Sequence, residues 1–246
     1  MTNQEKKNTK RNRRGNYAVD KDILDAVASL IKEVGFSKIT LPAIAQTANV
    51  NISVIYRHFG TLDNLLDKYT HKFDYWLNDI LDVDQVMNTN EPDIILRTIA
   101  DEFIKKLSKD KEMQHLMIWE LAEDNKSTRR SAQQRDLTVE KAIPLYEKFL
   151  ANVDINPRAV LAIVVAGMYY IILRKKRSTF CSIDFSTKVG KNLLADTMVK
   201  IIMYLNKQGE QDKNNREIAR KLKDSNVNEQ IIIEATGISK EELAIL

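Results

Sequence analysis

Apolar residues near the start of the chain recur at helical intervals. From Asp20 onward, Ile23, Ala26, Val27, Leu30 and Ile31 fall at i, i+3, i+4, i+7 and i+8, the stripe of one half-buried helix. Gly35 is placed to end it. Thr40 predicts the cap of a second, short helix, because its hydroxyl can accept a backbone amide, and Pro42 sits in a first turn that needs no donor there. That helix carries Ile44 and Ala45 and closes near Ala48. Asn49-Val50-Asn51 then suits a tight turn, since asparagine tolerates left-handed backbone. A third helix is expected over about 52–59. After Gly60, the spacing of Leu62, Leu65, Leu66, Tyr69, Phe73, Trp76, Leu77 and Ile80 predicts one continuous helix over 61–81, long enough to connect two domains.

Beyond Asn90 the pattern predicts helices over roughly 91–108, 112–124, 127–151, 157–176 and 186–206, with Pro92 and Pro157 near starts. Val189, Leu193, Leu194, Thr197, Met198, Ile201, Ile202 and Leu205 give the last of these a wide apolar face, and 157–176 is apolar nearly all round. Two such helices need more cover than one chain offers. From Gly209 the composition turns polar and a separate helical hairpin is expected, with Ile218, Ala219 and Leu222 before Asn226 and residues 231–235 after it. Gly237-Ile238-Ser239 ends that helix and begins another short turn. The fold class is all-α.

Composition agrees with this reading. Seven glycines and four prolines in 246 residues are few, which favours helices over a turn-rich β fold, and 43% apolar content supplies a core. The net charge of +4 matters only once it is located. Residues 1–16 hold six Lys/Arg against one Glu, leaving 32 Lys/Arg and 33 Asp/Glu for the rest. A basic arm on a near-neutral body is the footprint of a segment held by a polyanion. Cys181 is the sole cysteine, so an intrachain disulfide is excluded and a cytoplasmic setting is expected. The N-terminus lacks a signal-peptide-like apolar stretch. The longest uncharged apolar run, 159–173, falls short of the roughly 18 to 20 residues a bilayer demands and reads as a buried helix, so no membrane partner is expected. There is no glycine-rich phosphate loop, HExxH, cysteine pair or nucleophile elbow, and hence no expectation of an enzyme, a metal or a cofactor.

Three short helices with a tight turn between the second and third have the geometry of a helix-turn-helix, whose last helix lies in the major groove of DNA. Within residues 35–66, Gly35, Phe36, Thr40, Ile44, Ala45, Ala48, Val50, Ile55, Tyr56, His58 and Phe59 stand in the order Gly-Phe, capping Thr, Ile-Ala, Ala-x-Val, then Ile-Tyr-x-His-Phe. This stretch resembles the DNA-binding domain of the TetR family. It departs from the pattern at Asn49 and Ser53, where glycine is usual, at Asn51, where serine is usual, and at Leu62, where a lysine commonly reaches a phosphate.

The resemblance implies that Asn51, Ile52, Ser53, Val54 and Arg57 face the groove while Ile55 and Phe59 point inward. Asn51 and Arg57 are the expected base readers, since asparagine suits a bidentate contact to adenine and arginine one to guanine. Thr40, Tyr56 and His58 are placed as phosphate donors. Residues 17–60 hold four Lys/Arg and four Asp/Glu, so attraction to phosphate falls to the arm, where Lys10, Arg11, Arg13 and Arg14 are expected beside the minor groove.

The implied plan divides the chain into a basic arm (1–16), a reading head (17–62), a connecting helix (61–81), a regulatory and dimerising bundle (82–208) and a C-terminal extension (209–246). A homodimer through helices near 157–176 and 186–206 would set two heads on a palindromic stretch of double-stranded DNA. The implied function is transcriptional regulation, commonly repression, with release by a small ligand. Phe103, Met113, His115, Met117, Trp119, Tyr146, Met168 and Tyr169 are placed either to line a pocket for an apolar ligand or to fill an ordinary core. Residues 217–243 are weakly similar to helical tails of some transposase-like nucleases. The competing class is a helical protein-interaction module whose arm anchors DNA without sequence preference.

Overall fold

Every regular element among the described residues is helical, apart from one antiparallel β-bridge between Phe180 and Ile183. The computed structural model describes residues 15–78, 80 and 91–246, except for the side chain of residue 145. In chain order the helices are α1 (Asn16–Val34), α2 (Leu41–Thr47), α3 (Ile52–Phe59), α4 (Leu62–Thr70), α5 (Pro92–Lys109), α6 (Lys111–Ala122), α7 (Lys126–Glu140), α8 (Ile143–Phe149), α9 (Pro157–Arg174), α10 (Lys188–Asp224), α11 (Glu229–Thr236) and α12 (Lys240–Ile245), with short 3-10 turns at Phe36–Lys38 and His71–Phe73. They form two compact units, Met1–Phe73 with Lys111–Ala132 and Asp74–Asp110 with Gln133–Leu246.

The first unit joins α1 to α4 with α6 and the start of α7, elements that the sequence plan had assigned to the regulatory bundle. Ile23, Val27 and Ile31 of α1, Ile44 of α2, Ile55 of α3, Leu65 of α4 and Met113 and Leu116 of α6 are all buried. Phe36 stacks on Trp119 at 4.6 Å between ring centroids, an offset-stacked contact of the sort that adds to area burial. Two carboxylates bind the later segment to the earlier one. Glu112 takes Lys32 at 2.7 Å, together with Lys72 and the Tyr69 hydroxyl. Asp67 takes Lys126 at 3.0 Å and Arg130 at 3.1 Å. Burial alone would raise both carboxyls, but the ammonium, guanidinium and hydroxyl donors outweigh it and hold them below their ordinary values.

The continuous helix expected over 61–81 is not formed. α4 ends at Thr70, gives way to the 3-10 turn His71–Phe73, and leaves residues 74–78 in turns; 79 and 81–90 lie outside the described residues. Thr70 donates its hydroxyl to the Asp67 carbonyl at 2.9 Å, and Arg130 Nη2 donates to the same carbonyl at 3.2 Å and to Thr70 Oγ1 at 2.7 Å. These side-chain bonds gather where α4 ends, and the apolar periodicity carries no sign of them.

In the second unit three further expectations change. The helix expected over 127–151 is split into α7 and α8 because Pro144 stands in the first turn of α8, where its ring and missing amide cannot continue a preceding helix. The helix expected over 186–206 and the first arm of the hairpin are one helix, the 37-residue α10, which runs through Gly209 without a break. Gly209 is there for proximity rather than termination: a Cβ on it would stand 2.8 Å from the Asn152 carbonyl carbon and 2.9 Å from Val153 Cγ2. Finally, α9 is not a buried helix within one chain. Pro157–Arg174 is long and apolar enough to cross a membrane, yet only 17% of it is buried, at Leu161, Met168 and Ile172.

The end of the chain has a core of its own. Ala219, Ile232, Ile238 and Leu243 are buried together, with Leu222, Val227, Ile233 and Leu246 packed around them. Gly237 takes the left-handed conformation after α11, and Ser239 and Glu242 form a reciprocal capping box that starts α12. Truncating Ile232 to alanine should cost about 2–5 kcal/mol. Hydrogen exchange should show that loss as faster opening of residues 226–246, with the protection of α1 to α4 unchanged.

Candidate nucleic-acid interface

The turn between α2 and α3 is built from backbone accounting. Thr40 accepts the Ala43 amide at 3.4 Å and starts α2 with Pro42 in its first turn. Asn49 supplies the left-handed residue, φ 52°, and lets the Val50 amide reach back to the Ala45 carbonyl at 3.0 Å. Asparagine thus does there what the usual glycine would do. Asn51 is extended and stands at the N-cap of α3 without using its side chain for capping, which leaves its amide group free of the helix.

α3 presents two faces. Ile55 and Phe59 are buried, while Asn51, Ile52, Ser53, Tyr56 and Arg57 are exposed and Val54 is half-buried. Tyr56 and Arg57 have no hydrogen-bond or ion-pair partner among the described residues. A donor-bearing, unpaired strip on a short helix, held by a rigid turn, is the arrangement that enters a major groove.

His58 departs from its expected place. Its Nδ1 lies 2.5 Å from Asp20 Oδ1, its side chain is nine-tenths buried, and Asp20 Oδ2 accepts from Lys68 at 3.1 Å. Lys68 also lies over the Phe59 ring at 4.9 Å. The histidine therefore fixes the pitch of α3 against α1 and α4 instead of reaching outward. Burial raises the Asp20 carboxyl, but His58 and Lys68 together draw it below the ordinary value. Asp20 and Lys68 escape sequence reasoning because Asp20 meets His58 and Lys68 across 38 and 48 residues, with no periodic relation to either. Lys10, Arg11, Arg13 and Arg14 of the arm lie outside the described residues.

Residues 23–69 match the profile of bacterial regulatory proteins, tetR family. The N-terminal domain is TetR-type. No curated protein sequence matches the chain. Among solved structures, NalD of Pseudomonas aeruginosa, the secondary repressor of the MexAB-OprM multidrug efflux pump, is 20% identical and superposes with a TM-score of 0.50 over 77% of this chain and 96% of its own. AibR, solved with isovaleryl coenzyme A and operator DNA, is 14% identical, with a TM-score of 0.54 over 74% of this chain and 97% of its own. The fatty acid degradation regulator FadR of Bacillus halodurans is 17% identical, with a TM-score of 0.54 over 77% and 96%. At these identities the likeness is one of fold, and it extends the TetR-type plan past the reading head to a helical C-terminal domain.

The eight candidate pocket residues separate into two groups of four. Met113, Met117 and Trp119 are buried core of the first unit, where His115 packs so closely on Gly35 that a Cβ there would stand 3.0 Å from its Nδ1. Burial, and then Lys111, hold the His115 imidazole below its ordinary value. Phe103, Tyr146, Met168 and Tyr169 instead line an apolar cavity of about 60 Å³ in the second unit with Leu77, Ile80 and others. It adjoins a cleft of about 430 Å³ that shares Val139, Leu161, Val165 and Tyr169 and is rimmed by Arg135, Asp136, Glu140 and Arg158. The cavity alone is smaller than ligand sites usually are, whereas the cleft falls within their range. Burial pushes the Tyr146 hydroxyl up to about 12, so it stays a neutral donor.

Asp20→Asn should cost about 1–2 kcal/mol at pH 7. Because the folded-state pKa of Asp20 lies below 3.8, the difference in melting temperature from the parent should persist above that value and close as the pH falls through the folded-state pKa. A gap that stayed constant to low pH would remove the charge of Asp20 from the account.

Proposed function

We propose that this protein is a sequence-specific, DNA-binding transcriptional repressor that acts as a homodimer on a palindromic operator. The observation that carries the reading is the exposed, unpaired face of α3, with Asn51, Ser53, Tyr56 and Arg57 held on the far side of a buried Ile55 and Phe59. In this reading Asn51 and Arg57 read bases, Ile52 and Val54 offer apolar contact, and Thr40 and Tyr56 position phosphates. Lys10, Arg11, Arg13 and Arg14 lie along the minor groove. The protein works in the cytoplasm and catalyses nothing.

Dimerisation accounts for the surplus apolar surface. On α9, Ile163 and Tyr170 are exposed, and on α10 so are Val189, Leu193, Ile201 and Tyr204, at up to 77%. Pairing these two helices with their mates across a two-fold axis covers both faces in one interface. The cleft beside Tyr169 takes a small, mostly apolar ligand, much as AibR holds an acyl thioester together with operator DNA. Such a ligand changes DNA occupancy only if it prefers one dimer conformation.

Selection of bound duplexes from a random pool with the full-length protein should return a palindrome whose half-sites are about one helical turn, or a small multiple, apart. Recovery of no motif, with binding lost at moderate salt, would favour the interaction module with an anchoring arm. Arg57→Ala should lose about 1–3 kcal/mol of discrimination at one base position, while Arg13→Ala with Arg14→Ala should weaken all sequences alike. In the cleft, Val139→Phe should reduce binding of a fluorescent naphthalene sulfonate probe by roughly tenfold through lost volume, with operator affinity within about twofold of the parent.

A further inference from the structure

The densest positive charge among the described residues is not on the reading head. Residues 174–191, the end of α9, the following loop and the first turn of α10, hold six Lys/Arg against one carboxylate, Asp184. That carboxylate faces its own loop, accepting the Ser186 amide at 2.9 Å. Lys176, Arg177 and Lys188 are exposed, and none of their side chains has a hydrogen-bond or ion-pair partner among the described residues. Lys175 is only 7% exposed, and its ammonium donates to the Ser108 carbonyl at 3.1 Å without any carboxylate beside it. Burial first, and then Lys191 and Lys176, push its pKa down to about 8.

Helix electrostatics explain part of this cluster and make the rest harder to explain. Cations at the end of α9 are favourable, because a helix C-terminus carries partial negative charge, and this covers Arg174 and Lys175. Lys188 and Lys191 stand at the opposite kind of end, in the first turn of α10, which has no acidic residue. There they add to the positive pole of a helix. The loop between Arg177 and Lys188 is hydrogen-bonded within itself. Phe180 and Ile183 exchange both backbone hydrogen bonds around Cys181 and Ser182, which take left-handed φ of 50° and 63°. Phe180 and Tyr170 in turn hold the Arg174 guanidinium over their rings at 4.7 and 5.5 Å.

We propose that this basic platform is a further contact to double-stranded DNA, with Lys176, Arg177 and Lys188 neutralising backbone phosphates. The inference rests on the regulator reading above. Charge complementarity selects the occupant: phosphate attraction supplies most of the affinity in such complexes, yet residues 17–60 bring four cations and four anions to it. Three outward-facing, separately mounted cations suit the recurring charges of a phosphate backbone better than one compact anion. They carry no base information, so they add affinity without changing the sequence preference.

The test is the salt dependence of DNA binding by the full-length chain and by the triple variant Lys176→Ala, Arg177→Ala, Lys188→Ala, on the selected operator and on a scrambled duplex. The variant should lower the slope of log affinity against log salt by about 2–3 per protomer and weaken both duplexes tenfold or more, with their ratio unchanged. The charge-preserving set Lys176→Arg, Arg177→Lys, Lys188→Arg should keep the parental slope. An unchanged slope in the alanine variant overturns the proposal, as does a loss confined to the operator. If the slope is unchanged but the variant has lost binding of inorganic pyrophosphate, the patch belongs to a small phosphate ligand and the DNA contact is equally overturned. A parent that binds DNA without preferring any sequence sinks the regulator reading; a parent with a clear motif and a variant with its slope intact sinks only the platform.

Discussion

The first unit depends on a guanidinium that arrives from the other side of a long excursion of the chain. Arg130 and Asp67 are 63 residues apart, and Arg130 reaches the Asp67 carboxylate, the Asp67 carbonyl and the Thr70 hydroxyl. An ion pair this poorly exposed contributes little net stability once desolvation is subtracted, but removing one partner strands the other at a larger cost. Its consequence is therefore geometric. It sits where α4 stops, and with Lys126 on the same carboxylate it holds the start of α7 against α4. Glu112 repeats the device at the start of α6, so the three-helix reading head is closed by a later segment of the same chain.

This closure explains why the reading head can leave its outer face unpaired. Asp20, His58 and Lys68 fix the inner pitch of α3, and Ile55 and Phe59 complete the core beneath it. None of the side chains on the outer face is then required for stability, and Asn51 is not even needed as a cap. Those residues are available to chemistry outside the protein. The two halves of the signature Tyr-x-His-Phe thus do different work: Tyr56 faces out, and His58 and Phe59 hold the helix in place.

Local signals were legible in the sequence and long-range ones were not. The cap at Thr40, the left-handed Asn49 and the bounds of α3 follow from residue chemistry within a few positions, the inward pair Ile55 and Phe59 from the resemblance to the TetR family, and the structure has each of them. The break after Thr70 was hidden because the contact that marks it comes from Arg130, which no apolar period can reveal. The split at Pro144 was visible as a residue but was overridden by the periodicity around it. The continuity of α10 was missed because a glycine that ends a helix and a glycine that admits a neighbouring backbone look the same in one dimension. Of the eight candidate pocket residues, composition could not separate the four that line the cavity from Met113, His115, Met117 and Trp119, because aromatic and sulfur side chains serve core and cavity alike.

The continuity of α10 turns its far end into a matter of phase. Over 37 residues, at about 1.5 Å and about 100° per residue, the helix carries the apolar stripe of its first half and the core of the tail on one shaft some 55 Å long. Ala219 meets Ile232, Ile238 and Leu243 only because of the number of residues between it and Gly209, whose own azimuth is fixed by the backbone at Asn152. Adding or deleting one residue on that stretch would swing the whole tail through more than a quarter of a turn and leave its own core of Ala219, Ile232, Ile238 and Leu243 intact. The stretch between them can therefore vary in composition far more freely than in length.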